Sequence, residues 1–246
     1  MAANLERLAK EWAEKGYPQM EEYLNAGAKK ARQLGAPESF SVESQLAKTE
    51  TIKIYPEISL EEEWNRQSQN LAALFVKELG LTNEQYIASL PKFELQPKEY
   101  KGRLDIPVIV ETRVPLEKML KLVGINKYFN VGLIKEWEKD KFETPKTPYT
   151  TWLNDSSINL NKSVDTVRKG LKSDERGGTV FDGIALYLRD PKILEHHFLD
   201  LPGSQVVSGR APYLNRWNEQ PRLNHFWTAH ASPNGGSVVA GRKIKV

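Results

Sequence analysis

The residues best suited to metal or acid–base chemistry are four histidines, which fall as two pairs in a cysteine-free chain of 246 residues: His196 with His197, and His225 with His230. Neutral imidazole is a common ligand of transition metals, and a histidine from each pair plus a carboxylate makes a site that activates water. His197, His225 and Asp200 are the set this reading selects, and it implies a metal-dependent hydrolase. Spacing works against it. Five residues is an odd step on a strand, which sends His225 and His230 to opposite faces, and about 140° of rotation on a helix. His196 and His197 also diverge on any regular element, so only a tertiary crossing unites the pairs. The alternative is four ordinary structural histidines.

A second chemistry belongs to the C-terminal end. From Arg210 onward the chain carries Arg210, Arg216, Arg222, Arg242, Lys243 and Lys245 against a single acidic residue, Glu219. Trp217 and Trp227 lie among them. Gathered by a short β-meander, these side chains form a positive patch with aromatic rings beside it. Cations release the counterions condensed on phosphates, and rings stack on unpaired bases. The nucleic-acid-binding set is then Arg210, Arg216, Trp217, Arg222, Trp227 and Arg242, with an acidic protein as the other partner such a face fits. Against this, a small β-subdomain needs tryptophan to fill its core, and Arg242, Lys243 and Lys245 suit a solvated chain end. Charge is distributed accordingly: residues 1–145 hold 21 Lys/Arg and 23 Asp/Glu (net −2), residues 146–246 hold 14 and 9 (net +5), and the whole is +3.

Other motifs have structural readings at hand. Arg176-Gly-Gly-Thr179 ahead of a helix offers backbone N–H groups and an arginine to a phosphate. A glycine C-cap followed by a threonine N-cap accounts for the same residues. Asp105 with Glu111-Thr-Arg113 resembles the acidic strand of metal-dependent nucleases, although the basic member there is usually lysine and Asp105 sits too close. Glu61-Glu-Glu63 falls in the first turn of a helix, where the dipole favours it. No GxxxxGK[ST], GxGxxG, GxSxG or HExxH occurs, so no motif names a nucleotide, an activated serine or a zincin site, and no cofactor is expected. The lack of cysteine removes thiolate and disulfide chemistry.

These residues need elements to position them. Leu5, Leu8, Ala9 and Trp12 form one helical stripe, a second helix runs from Pro18 to Leu34, and residues 40–55 are extended. Ser59-Leu-Glu-Glu62 is a capping box for a long helix closed by Gly80, and Thr82 opens a shorter one ended by Pro91. Ile106-Pro-Val-Ile-Val110 is the clearest strand, with Pro107 favouring an edge position. A helix follows over 115–123, then a linker candidate over 141–148. Beyond it come a strand over 149–153, a helix over 160–171, and a helix capped by Thr179 with Asp182, whose Ile184 and Leu188 face the core. Asp190-Pro191 starts a short helix ending at His196. The rest reads as β, with a turn over 215–222 and an Asn234-Gly235 hairpin joining 223–230 to 237–240.

The fold class is α+β: a helical N-terminal part with a small sheet (1–143), then a C-terminal α/β module with a β-rich end (149–246). The two share one core if 141–148 is only an exposed crossing. No apolar run approaches the ~20 residues that span a bilayer, and the N-terminus lacks a signal-peptide run, so a soluble, cytoplasmic protein with no membrane partner is expected. Over 148–246 the order of Tyr149-Thr-Thr-Trp152, Thr179-Val-Phe-Asp-Gly-Ile-Ala-Leu186, Pro191, Leu201-Pro-Gly-Ser204, Pro221-Arg-Leu223 and Gly236-Ser237 resembles a group of uncharacterised bacterial proteins, which often carry Glu at the position of Asp182. The resemblance implies a bacterial-type soluble domain and no catalytic residue. A binding module with a basic C-terminal face is the function expected, with the hydrolase as its alternative.

Overall fold

The computed structural model describes residues 59–207 and 209–246. The two N-terminal helices, Trp12 and the extended stretch over 40–55 lie outside the described residues. Helix α1 (Leu60–Leu79) starts at its capping box: Glu62 N–H donates to Ser59 Oγ at 3.1 Å, and Ser59 N–H donates to the Glu62 carboxylate at 2.8 Å. Gly80, left-handed at φ 65°, ends it. Thr82 and Gln85 cap α2 (Asn83–Ala88) in the same way. Then follow β1 (Ile106–Val110), α3 (Leu116–Val123), β2 (Asn126–Lys127), β3 (Lys135–Glu136), β4 (Tyr149–Leu153), α4 (Val164–Gly170) and β5 (Glu175–Gly177). After these come α5 (Val180–Arg189), α6 (Ile193–His196), β6 (Phe198–Asp200), β7 (Ser204–Gln205), β8 (Arg210–Trp217), β9 (Gln220–Trp227), β10 (Gly235–Ser237) and β11 (Val239–Gly241). The architecture is α+β.

The strands form three sheets, ordered β1-β4-β11-β5, β10-β6-β8-β9-β2 and β3-β7. The first is antiparallel throughout; in the second, β10 and β2 run parallel to their neighbours. Strand β1 lies at an edge, where the missing N–H of Pro107 does least harm. A side chain closes its free side: Gln67 of α1 donates to Pro107 O and accepts from Ile109 N–H, both at 2.9 Å. One residue thus supplies the pairing of a strand and blunts the edge. The pairs β1–β4, β2–β9 and β3–β7 each join a residue before 141 to one after 148. Residues 141–148 therefore cross within one compact unit that spans 57–246, and the two parts on either side of them share their sheets.

Helix α5 packs against both β1 and β8, so its buried arc is wide. Ile184 and Leu186 are buried, and Leu188, expected in the core, is only half-buried. Under it, Leu199, Leu214 and Leu223 line up across β6, β8 and β9, all fully buried. Three other expectations are corrected. The helix over 160–171 shrinks to α4, because Ser163 Oγ caps it by accepting from Thr166 N–H and Asn161 turns the chain at φ 58°. The turn over 215–222 narrows to Asn218-Glu219, both at positive φ as a two-residue hairpin demands. Asn234-Gly235 makes no hairpin with β9: Phe198 N–H donates to Asn234 O, and β10 pairs parallel with β6.

The N-terminus of α5 holds a fully buried carboxylate with five hydrogen-bond donors. Asp182 accepts from Arg176 Nη1 and Nη2 at 2.6 and 3.0 Å, Tyr149 Oη–H at 2.9 Å, Thr179 N–H at 2.7 Å and Thr179 Oγ1–H at 2.8 Å. Arg176, Tyr149 and Asp182 are all fully buried, and the guanidinium lies 3.8 Å from the Phe142 ring centroid. Burial alone would push the Asp182 carboxyl up; Arg176 and the Thr179 donors hold it below its usual range. Stability from this group is present above its unfolded pKa and lost as pH falls through the lower folded one. Asp182→Ala leaves a buried guanidinium uncompensated and should cost about 3–5 kcal/mol in urea denaturation, against less than about 1 kcal/mol for an exposed surface pair.

Candidate binding face of the C-terminal sheet

Directly opposed residues of paired strands share a face. Asp200 opposes Tyr213, and Tyr213 opposes Asn224, so one face of the five-stranded sheet carries Phe198, Asp200, Ala211, Tyr213, Arg222 and Phe226, and its opposite carries the leucine row. Trp217 (51% exposed), Trp227 (54%), Phe226 (46%) and Tyr128 (53%) all stand out to solvent. The core role open to Trp217 and Trp227 in the sequence is thereby overturned: the buried side of the hairpin β8–β9 is filled by Leu214 and Leu223. The Arg222 guanidinium sits between rings, 4.5 Å from the Tyr128 centroid and 5.6 Å from that of Trp217. Arg210 covers Trp227 at 4.4 Å. Neither arginine pairs with a carboxylate among the described residues.

The other basic residues are spoken for. Arg216 pairs with Glu195, Arg242 Nη2 with Asp140 at 2.6 Å, Lys243 with Glu99 at 2.6 Å and Lys245 with Glu94 at 3.6 Å. Residues 242–245 follow β11, which belongs to the four-stranded sheet, whereas Arg210, Arg216 and Arg222 lie on the five-stranded one. The meander expected to gather six cations does not form, because β10 pairs with β6 at the far edge of the hairpin's sheet and β11 joins the four-stranded sheet.

At the other end of the same face lies a cavity of about 160 Å³ walled by Phe198, Tyr213, Phe226, Trp227 and His230, with Asp200 among its lining residues. Phe198 stacks on Tyr213 with centroids 6.0 Å apart, and His230 meets Phe226 edge-on at 4.6 Å. No described residue donates a hydrogen bond or a cation to the Asp200 carboxylate. Burial, with no compensating partner, pushes it up to about 7. Gly235 makes room for it, since a Cβ there would lie 3.1 Å from Oδ2. The sequence offers Asp200 as a metal ligand but gives no sign of the rings around it, because Phe198, Tyr213 and Phe226 converge only through strand register.

The histidines separate. His225 succeeds Asn224 and so points to the leucine side, edge-on to Phe129 at 4.7 Å, away from Asp200. His197 Nε2 lies 2.6 Å from Ser156 Oγ and 2.9 Å from Asp155 O. Burial lowers its pKa, which keeps the ring neutral. Ser156 is fully buried at φ 65°, so this Ser–His contact pins a turn and offers no nucleophile to solvent. Among the described residues no group of three His, Asp or Glu is placed to hold a metal ion, which removes the geometry the set His197, His225 and Asp200 required. The sheet's period of two is the reason. Glu111 is likewise structural, bonded to Tyr86 Oη–H at 2.7 Å and to the Arg113 fork, and Asp105 accepts from Gly102 N–H and Gln96. Arg176 is fully buried against Asp182, out of reach of a phosphate in solvent, and Gly177 lets the backbone of Gly203 approach while Gly178 makes room for Val238, so neither serves as a helix cap.

An unpaired carboxylate costs the fold stability once it ionises. The folded pKa of Asp200 lies above its unfolded value, so stability falls as pH rises from about 4 to about 7 and stays low above that. Asp200→Asn should flatten this dependence and gain roughly 1–3 kcal/mol at pH 8, allowing for solvent screening in an open cavity. Chemical denaturation of both proteins from pH 5 to pH 8 checks it, and parallel curves would contradict it.

No helix among the described residues is long and apolar enough to cross a membrane. Comparison with known protein families, with curated proteins and with solved structures finds no match, so the functional reading rests on this geometry.

Proposed function

We propose that the protein is a binding module that holds single-stranded nucleic acid on the open face of its C-terminal sheet, by stacking more than by charge. The observation that carries this reading is the Tyr128–Arg222–Trp217 layer: an arginine without a carboxylate partner among the described residues, against two rings more than half exposed. Rings presented in this way accept any base, and an adjacent arginine reaches the phosphate or adds its own planar face. Arg210 over Trp227 repeats the arrangement at the other end of the hairpin. Duplex DNA is a poor fit, because its bases are already stacked.

The reading sets its own salt dependence. With Arg210 and Arg222 as the cations available to phosphate, the slope of log K against log salt for a single strand should be about −1.4, far from the roughly −4 of a six-cation patch. Titration of labelled twelve-nucleotide RNA at two salt concentrations should give micromolar binding with that shallow slope. Trp217→Ala and Arg222→Ala should each weaken it about 5- to 100-fold, whereas Lys245→Ala leaves it unchanged. No binding at low salt, or binding indifferent to Trp217 and Arg222, defeats the reading.

A further inference from the structure

The cavity at the far end of the face has a different chemistry from the stacking layer. Its charged group is a carboxylate with no counter-charge among the described residues, and most of its walls are rings, with Ser232 beside them. Aromatic faces are negative and attract cations, as the Arg210 guanidinium over Trp227 already shows. A free carboxylate among ring faces complements one kind of guest above others: a positive group whose carbon-bearing surface suits the rings. Anions are disfavoured by Asp200, and a bare metal ion finds no set of three protein ligands among the described residues. We propose that the cavity lined by Asp200, Phe198, Tyr213, Phe226 and Trp227 binds an alkylammonium group, the carboxylate pairing with its charge and the rings packing on its methyl or methylene surface. The site is independent of base stacking on Trp217. Its volume of about 160 Å³ accommodates a trimethylammonium or a primary amine with a short chain.

The elevated pKa of Asp200 couples this binding to pH. An ammonium selects the ionised carboxylate, so affinity rises up to about tenfold from pH 6 to pH 8 and protons are released on binding. Tyr213 and His230 are the other titratable groups facing the cavity, and Arg210 touches it through Trp227. Burial pushes the Tyr213 phenol further up from its usual value, above this range, and pushes the His230 imidazole down, which lessens the positive charge His230 sets against a cation.

Isothermal titration with n-butylammonium, butyltrimethylammonium and the neutral 3,3-dimethylbutan-1-ol tests the proposal, with thermal melts confirming that each variant is folded. Expected are saturable binding of at least one cation, no comparable binding of the alcohol, at least a tenfold loss in Asp200→Asn and a smaller loss in Phe226→Ala. His230→Gln should preserve the pH dependence, and Asp200→Asn should abolish it. A lysine-containing pentapeptide, plain and trimethylated, separates a protein side chain from a free amine as the source of the ammonium. Equal binding of the neutral alcohol, indifference to Asp200→Asn, or occupation by cytidine or guanosine monophosphate where the amines fail would overturn the proposal, the last in favour of a base slot.

Discussion

The buried pairing of Asp182 with Arg176 is the interaction on which the arrangement of both large sheets depends. Asp182 sits in the first turn of α5, which packs on β1 and on β8, and its carboxylate accepts from β4 through Tyr149 and from β5 through Arg176. Thr179 completes the set and caps the same helix. Orientation of α5 is thereby fixed to the four-stranded sheet, while Ile184 and Leu186 further along bury against the surrounding core. A charge with five donors also has few alternatives: slipping the helix by a turn would strand a buried guanidinium, which costs far more than the pair itself contributes. Asp140 performs a lesser version of this task, accepting from Gly177 N–H at 2.7 Å and from Arg242 at 2.6 Å, which ties the exit of β11 to β5.

That same framework determines where positive charge is available. By drawing β11 into the four-stranded sheet, it commits Arg242 to Asp140 and Lys243 to Glu99, away from the hairpin β8–β9. What remains is two arginines lying on rings, Arg222 on the open face and Arg210 over Trp227 at the end of the hairpin. Such a face attracts a ligand through contact area and polarisability more than through long-range field, and it discriminates between flexible, unstacked partners and rigid duplexes.

Asp182 and Asp200 show how environment separates two chemically identical side chains. One is saturated with donors and held below its usual pKa; the other is half-buried among rings without a donor and pushed up to about 7. The first serves the fold. The second opposes it, and a group that costs stability while lining a cavity is more readily understood as part of a site than as part of the core.

Local chemistry settled much of this protein in advance. The capping boxes at Ser59 and Thr179, the glycine stop at Gly80 and the edge position of β1 follow from residues within a few positions of one another, and the structure has them as expected. Those signals are short-range because they satisfy backbone groups of the same turn or strand. Sheet membership was not legible. Asn234-Gly235 carries a hairpin signature, yet β10 pairs with β6, since a parallel partner thirty-odd residues back competes successfully once Leu199, Leu214 and Leu223 align. The exposure of Trp217 and Trp227, the dispersal of the histidines and the pairing of Arg242, Lys243 and Lys245 all descend from that choice. Register decides which side chains share a face, and register is set by partners distant in sequence. Composition placed cations and aromatics at the C-terminal end; tertiary structure decided which of them would be free to meet a ligand.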